Sequence, residues 1–167
     1  MCYVGVMPNE IERKFLVVGA GWKGLGPATP IRQGYLSIDP ERVVRVRVAG
    51  EKAFITIKGR LSELGARVRA EFEYPIPRAE AEALLIAHCL QPLIEKRRHQ
   101  ISHRGAQWVV DEFEGANAGL VMAEIELEHA DQAVELPDWA GTEVTADPRY
   151  QNSSLVRHPF REWGPKP

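Results

Sequence analysis

Polar and apolar residues alternate one by one along most of this chain, and a period of two marks strands whose two faces differ chemically. The alternation predicts eight strands, at residues 10–17, 31–37, 42–49, 52–58, 68–74, 93–103, 107–113 and 120–128. Gly50 and Glu51 make a tight link between two of them, and Arg104-Gly105-Ala106 makes another, so antiparallel hairpins are the natural connection. Helical spacing is confined to residues 78–89, where Ala79, Ala83, Leu84, Ile86 and Ala87 line up as one apolar stripe after Pro77. A second short helix is expected at 131–135. Residues 19–30, rich in Gly and Pro, read as a mobile loop, and 163–167 as a frayed tail. The fold class expected is mainly β (α+β): an eight-stranded antiparallel sheet closed into a small barrel, with a few flanking helices.

At 167 residues the chain has room for one domain with a real core, so 1–167 is expected to be a single domain with its core at about 10–152 and a C-terminal tail at 153–167. A formal net charge of -2 gives no global electrostatic case for nucleic acid or an anionic membrane, and neither is expected as a partner. Any charge effect must therefore be local. Cys2 and Cys89 have neither metal-ligand spacing nor the density of a disulfide framework, which fits a reducing cytosol. No apolar run approaches the roughly 20 residues of a membrane span, and residues 1–7 are too short for a signal sequence. A cytoplasmic protein is expected.

One face of nearly every expected strand is ionic. Glu10, Glu12 and Lys14 share a face of the first; Arg45 and Arg47 follow on the third, and Lys58 ends the fourth. The pattern runs on through Glu71 and Glu73, Lys96 and Arg98, then Glu124, Glu126 and Glu128. A solvated face would account for any single strand. Like charges repeated at i, i+2 stand roughly 7 Å apart and repel, however, so solubility alone gains nothing from them. Paired carboxylates call for a divalent cation with oxygen ligands, and paired arginines for a polyanion such as phosphate. If the rows converge inside a barrel, the apolar faces bury outward against a helix, the C-terminal segments or a second subunit, and a homodimer is one way to cover them.

These residues resemble a known family. Glu10-Ile-Glu12-Arg-Lys14 matches the ExExK signature of the CYTH superfamily, the triphosphate tunnel metalloenzymes. The likeness continues in order through Arg45-Val-Arg47, Thr56-Ile-Lys58-Gly, Glu71-Phe-Glu73, Glu95-Lys96-Arg97-Arg98, Asp111 and Glu124-Ile-Glu126. Arg32-Gln-Gly-Tyr-Leu and Arg149-Tyr-Gln-Asn152 look most like the compact bacterial branch that hydrolyses inorganic tripolyphosphate.

The resemblance implies an eight-stranded tunnel barrel that needs Mg²⁺ or Mn²⁺, as one ion or two. It puts the metal ligands on Glu10, Glu12, Asp111, Glu124 and Glu126, and phosphate binding on Lys14, Arg45, Arg47, Lys58, Lys96 and Arg98. Glu71 and Glu73 match an acidic pair that lines the tunnel beside the substrate and is expected to act in catalysis by holding or orienting a second metal, and Lys14 and Lys96 the catalytic positions to watch for steering the attacking water. Strand parity favours Lys96 and Arg98 over Arg97 as the inward pair. The expected reaction is metal-dependent hydrolysis of tripolyphosphate to phosphate and pyrophosphate. Class IV adenylyl cyclase, thiamine triphosphatase and a polyphosphate-binding module without turnover are the alternatives. Outside this set, His99 and His103 read as ordinary strand residues, Tyr35 as a substrate contact or a wall aromatic, Trp22 as a loop anchor, Trp108 and Trp139 as packing residues, and Tyr150 and Asn152 as fixing the C-terminal segment.

Overall fold

The computed structural model describes residues 11–60, 69–129 and 131–164. Glu10 and Val68 therefore lie outside the described residues. Nine strands are found within them: β1 (Ile11–Val17), β2 (Ala28–Ser37), β3 (Arg42–Ala49), β4 (Lys52–Arg60), β5 (Arg69–Pro75), β6 (Ile94–His103), β7 (Ala106–Phe113), β8 (Val121–Leu127) and β9 (Ala140–Glu143). Two helices, α1 (Arg78–Ala87) and α2 (Asn152–Arg157), complete a mainly β architecture. No helix among the described residues is long and apolar enough to cross a membrane. The chain forms two compact units, one from residues 31–93 and one from residues 11–30 with 94–164.

The first unit is an antiparallel meander in the order β5-β4-β3-β2. Gly50, at φ 57°, turns β3 into β4 with a conformation that glycine adopts at no steric cost. α1 packs on this sheet, burying Ala81, Leu85 and Cys89 against Val46, Val48 and Ala53. The expected helical stripe was a different one: Ile86 is 72% exposed and Ala83 also faces solvent. Apolar residues occupy so much of this helix that spacing alone did not fix its phase; the i, i+4, i+8 set Ala81, Leu85 and Cys89 reaches the sheet instead. Gly34 is needed where β2 passes beneath the helix end, since a Cβ there would sit 2.6 Å from Cys89 Cβ.

The second unit has the order β6-β7-β8-β1-β9, again antiparallel. Arg104 and Gly105 both take positive φ, 47° and 83°, in the hairpin between β6 and β7; the link is two residues long, one fewer than expected, because β7 already begins at Ala106. One face of this sheet carries the core: Phe15, Trp108, Val110, Ala123 and Ile125, with Trp22 and Trp139 from the loops. Phe15 and Trp139 each lie within 5.7 Å of the Trp108 ring, tilted or edge-on, contacts worth ~1 kcal/mol each beyond simple burial. Trp22 is 2% exposed and meets the His99 ring edge-on, so the 19–30 segment is anchored, and β2 starts within it at Ala28.

Three expectations are corrected in this unit. The ninth strand, Ala140–Glu143, was not anticipated because four residues with a glycine carry no readable alternation. That glycine is required: a Cβ on Gly141 would meet Leu16 O at 2.9 Å. Residues 131–135 form no helix. A segment that short cannot repay helix nucleation, and it is held instead by Val134 against the core, by Glu128 N donating to Gln132 Oε1 at 2.8 Å, and by an Arg104–Glu135 ion pair. The expected tail contains α2, with Leu155 and Val156 buried, and Trp163 packs edge-on against Tyr150 and Phe160.

Candidate active site

Strand register decides which charges meet. In the second unit Glu12 stands directly opposite Glu126, and Lys14 opposite Glu124. Glu124 is paired in turn with Val109, so Asp111 shares its face. Asp111 pairs with Arg98 and Phe113 with Lys96, which brings both cations to that same side. Arg97 points the other way, exposed, with its Nε donating to Glu114 at 2.9 Å. Glu12, Lys14, Glu124, Glu126, Asp111, Lys96 and Arg98 thus lie on one ionic face, backed by the aromatic core.

The charges on this face are tightly interlocked. Lys14 Nζ reaches Glu12 at 2.8 Å and Glu124 at 3.1 Å. Burial alone would lower the pKa of Lys14, but the fields of Glu124 and Glu12 prevail and raise it, so the ammonium stays charged. Asp111 is 0% exposed and accepts three hydrogen bonds: Oδ1 from Arg98 Nε at 2.8 Å, and Oδ2 from Arg98 Nη2 at 2.7 Å and Lys96 Nζ at 2.6 Å. Burial works against this carboxylate, yet Lys96 and Arg98 hold its pKa below the usual carboxylate range. Lys96, 1% exposed, also has its pKa lowered, here by desolvation, with the charge of Arg98 adding to the effect and Asp111 opposing it.

The first unit carries a second ionic face built in the same way. Tyr35, Arg45, Thr56 and Glu73 form one line across β2 to β5, and Gln33 and Arg47 begin the next. Arg45 Nη2 donates to Thr56 Oγ1 at 3.1 Å and lies 3.5 Å from Glu73, to which the Thr56 hydroxyl donates at 2.8 Å. Lys58 Nζ is 2.8 Å from Glu71. Glu71 and Glu73 thus act as counter-ions that fix Lys58 and Arg45, a concrete role for a pair expected beside the substrate.

Two further partners escaped sequence reasoning. Gln33, fully buried, accepts from Arg47 Nε at 3.3 Å, and Asn152, at the start of α2, accepts from Lys96 Nζ at 3.4 Å. Both lie in segments that the resemblance picks out, Arg32-Gln-Gly-Tyr-Leu and Arg149-Tyr-Gln-Asn152, but their partners were not readable, because the contact of Asn152 depends on how α2 docks against β6. Tyr150, Trp108 and Trp139 are buried packing residues, and His99 and His103 are strand residues of β6.

Oxygen donors of the hard type that suits Mg²⁺ or Mn²⁺ are present, with Glu12, Glu124 and Glu126 on one face. The donor set fits such an ion in kind. Among the described residues, which exclude Glu10, no group of three or more His, Cys, Asp or Glu side chains is arranged to hold a metal. Asp111 already accepts three hydrogen bonds from Lys96 and Arg98, which leaves Oδ1 as its less occupied oxygen.

Taken together, these are antiparallel sheets whose acidic and basic rows stand on single faces, a charge-bearing β architecture suited to polyanion chemistry. The chain belongs to the CYTH domain family, whose model matches residues 8–159. It is 45% identical over 157 residues to an inorganic triphosphatase of Acetivibrio thermocellus, covering 94% of this chain and 99% of that one. An inorganic triphosphatase of Nitrosomonas europaea is 36% identical, with 89% and 97% covered. Among solved structures, the crystal structure of the inorganic triphosphatase NE1496 superposes with a TM-score of 0.69 at 35% identity, covering 91% of this chain and 97% of that one.

Proposed function

We propose that this protein is a divalent-metal-dependent inorganic triphosphatase that hydrolyses tripolyphosphate to phosphate and pyrophosphate. The observation that carries the reading is the face on which Glu12, Glu124 and Glu126 stand among Lys14, Lys96 and Arg98, acidic donors for a cation interleaved with cations for phosphate. The names of the two relatives support it.

In this reading Glu10, Glu12, Glu124 and Glu126 hold the ion, and Asp111 exchanges a cation for it or remains the counter-ion of Lys96 and Arg98. When bound, the ion, Mg²⁺ or Mn²⁺, neutralises phosphate charge and lowers the pKa of a water it holds. Phosphoryl transfer asks the protein mainly for positioning and charge neutralisation, because charge spreads over the equatorial oxygens as the bond breaks. Lys14, Lys96 and Arg98 are suited to hold phosphate oxygens beside the acidic row. Arg45, Arg47 and Lys58 are assigned to the remaining phosphates, with Glu73 and Glu71 keeping Arg45 and Lys58 in place. Lys14 and Lys96, each fixed by carboxylates, are assigned to orienting the attacking water. The water oxygen bonds to the terminal phosphorus, the bridging P–O bond breaks with its electron pair staying on pyrophosphate, and the proton lost by the water passes to the departing pyrophosphate or to solvent.

A cytoplasmic setting is part of the proposal, supported by a buried free Cys89. So is a homodimer, which would cover apolar residues such as Ile57 and Tyr74, 39% and 36% exposed. The catalytic proposal is tested by measuring phosphate and pyrophosphate release from tripolyphosphate, ATP and thiamine triphosphate with Mg²⁺ and Mn²⁺ in turn. Fastest release from tripolyphosphate, dependent on the ion, is expected; release from none of the three would refute the enzyme, and preference for ATP or thiamine triphosphate would reassign its substrate.

A further inference from the structure

A buried amide joins two side chains of the first unit's ionic face. Gln33 is 0% exposed on β2, directly opposite Arg47 on β3. Its Oε1 accepts from Arg47 Nε at 3.3 Å, and its Nε2 approaches the Tyr35 hydroxyl at 3.4 Å. Donor chemistry settles which way the amide faces: guanidinium has no acceptor, so the carbonyl must turn to Arg47 and the NH₂ to Tyr35. The phenol oxygen then accepts, so the Tyr35 O–H points away from Gln33.

Burying an amide on a strand costs free energy that a valine or isoleucine would not. The two contacts indicate what that cost secures. A guanidinium held at Nε has its plane oriented, and with it the direction of the Nη1–Nη2 edge, which can meet two phosphate oxygens at once. The choice of a neutral partner matters too. A glutamate would bind Nε more strongly but would place a further charge at a fully buried position, whereas Gln33 orients Arg47 with no charge of its own.

We infer that Gln33 is a positioning residue for substrate binding, holding Arg47 in the orientation that receives a phosphate group and directing the Tyr35 O–H. This rests on the triphosphatase reading given above. Two near-isosteric variants test it, Gln33→Met, which removes both hydrogen bonds, and Gln33→Glu, which keeps an acceptor for Arg47 but adds a charge. Each is assayed for kcat and KM with tripolyphosphate and for the ¹⁵N–¹H resonance of the Arg47 side-chain Nε, which reads the hydrogen bond without turnover.

Loss of one hydrogen bond to a charged group should raise KM about tenfold in Gln33→Met, with kcat within about twofold of the parent. The Arg47 Nε resonance should move in the same variant. In Gln33→Glu, KM should rise at least as far even though the acceptor is retained. An unchanged KM, a loss confined to kcat, or an Arg47 resonance indifferent to both variants would overturn the inference. If Gln33→Met fails to fold, Gln33→Glu decides alone through KM and the resonance. Should the parent protein release no phosphate from tripolyphosphate, it is the triphosphatase reading that fails; the resonance and calorimetric binding of tripolyphosphate to parent and variants then decide the role of Gln33.

Discussion

Asp111 and Glu126 lie on the same face and carry the same charge, yet their surroundings give them opposite vulnerabilities. Asp111 is the sole carboxylate within hydrogen-bond reach of Lys96 among the described residues, and Lys96 is 1% exposed. Replacing Asp111 by Asn leaves two cations inward with a neutral partner, and breaking a buried pair from one side costs roughly 3–5 kcal/mol. Chemical denaturation should show that loss; a change under about 1 kcal/mol would mean that Asp111 does not hold these cations. Glu126 is exposed, so Glu126→Gln should leave stability within about 0.5 kcal/mol of the parent. Its effect belongs to turnover, which should fall about 10²-fold or more, the scale of removing one electrostatic element of a catalytic site. Full activity in Glu126→Gln would refute the ligand assignment. The charged rows were legible in the sequence because strand parity alone decides which of Glu12, Lys14, Glu124 and Glu126 share a face. That Asp111 would be sealed between Lys96 and Arg98 was not, since burial depends on Phe113, Asn152 and the docking of α2, none of which leaves a periodic trace.

β9 shows the same division one level up. Four residues long, it is held to β1 by contacts that bracket Lys14: Val144 N donates to Lys14 O at 2.8 Å, and Lys14 N to Thr145 Oγ1 at 2.9 Å. The Thr145 hydroxyl donates a hydrogen bond to Glu143 at 2.7 Å, and Glu143 accepts from Arg13 through both oxygens at 3.0 and 2.6 Å. Hydrogen bonds from Arg13 and then Thr145 pull the Glu143 pKa from 4.5 down to about 2. A depressed carboxylate stabilises the fold fully above its unfolded value and loses that contribution as pH falls through its folded value. The clamp should therefore be intact above pH 4.5 and gone below about pH 2. Because the pair is largely exposed its worth is small, ~0.5 kcal/mol. Amide exchange of Ala140–Glu143 in Glu143→Gln and parent should differ at pH 6 and converge near pH 2; a gap that persists in acid would assign the effect to packing. None of this was readable beforehand, because AGTE has no period and its partners lie 130 residues away in the chain. The long strands were readable for the converse reason: β3 sets Val44, Val46 and Val48 on one face and Arg45 and Arg47 on the other, a period of two that excludes a helix.

At the scale of the whole molecule the charge balance looks wrong for the proposed ligand. A net charge of -2 repels a polyanion at long range, so binding must come from rows of cations acting at short distance. Two consequences follow. Affinity for tripolyphosphate should fall as salt rises, since partly exposed cations such as Lys58 and Arg98, at 31% and 22%, remain open to screening. Ligand should also stabilise the folded state by mass action, about 2.7 kcal/mol at a hundredfold excess over Kd. Glu126→Gln is the protein in which to measure this, because its slowed turnover keeps the ligand whole while Lys14, Arg45, Arg47, Lys58, Lys96 and Arg98 are untouched. Thermal denaturation of that variant should shift upward with tripolyphosphate, by less in 0.5 M than in 0.05 M salt, and much less with orthophosphate, which spans fewer of the cations. Equal shifts with orthophosphate and tripolyphosphate would mean that the basic rows act as separate anion sites and do not read the length of the chain. Absence of any shift would remove the polyanion from the proposal altogether, whatever the acidic row holds.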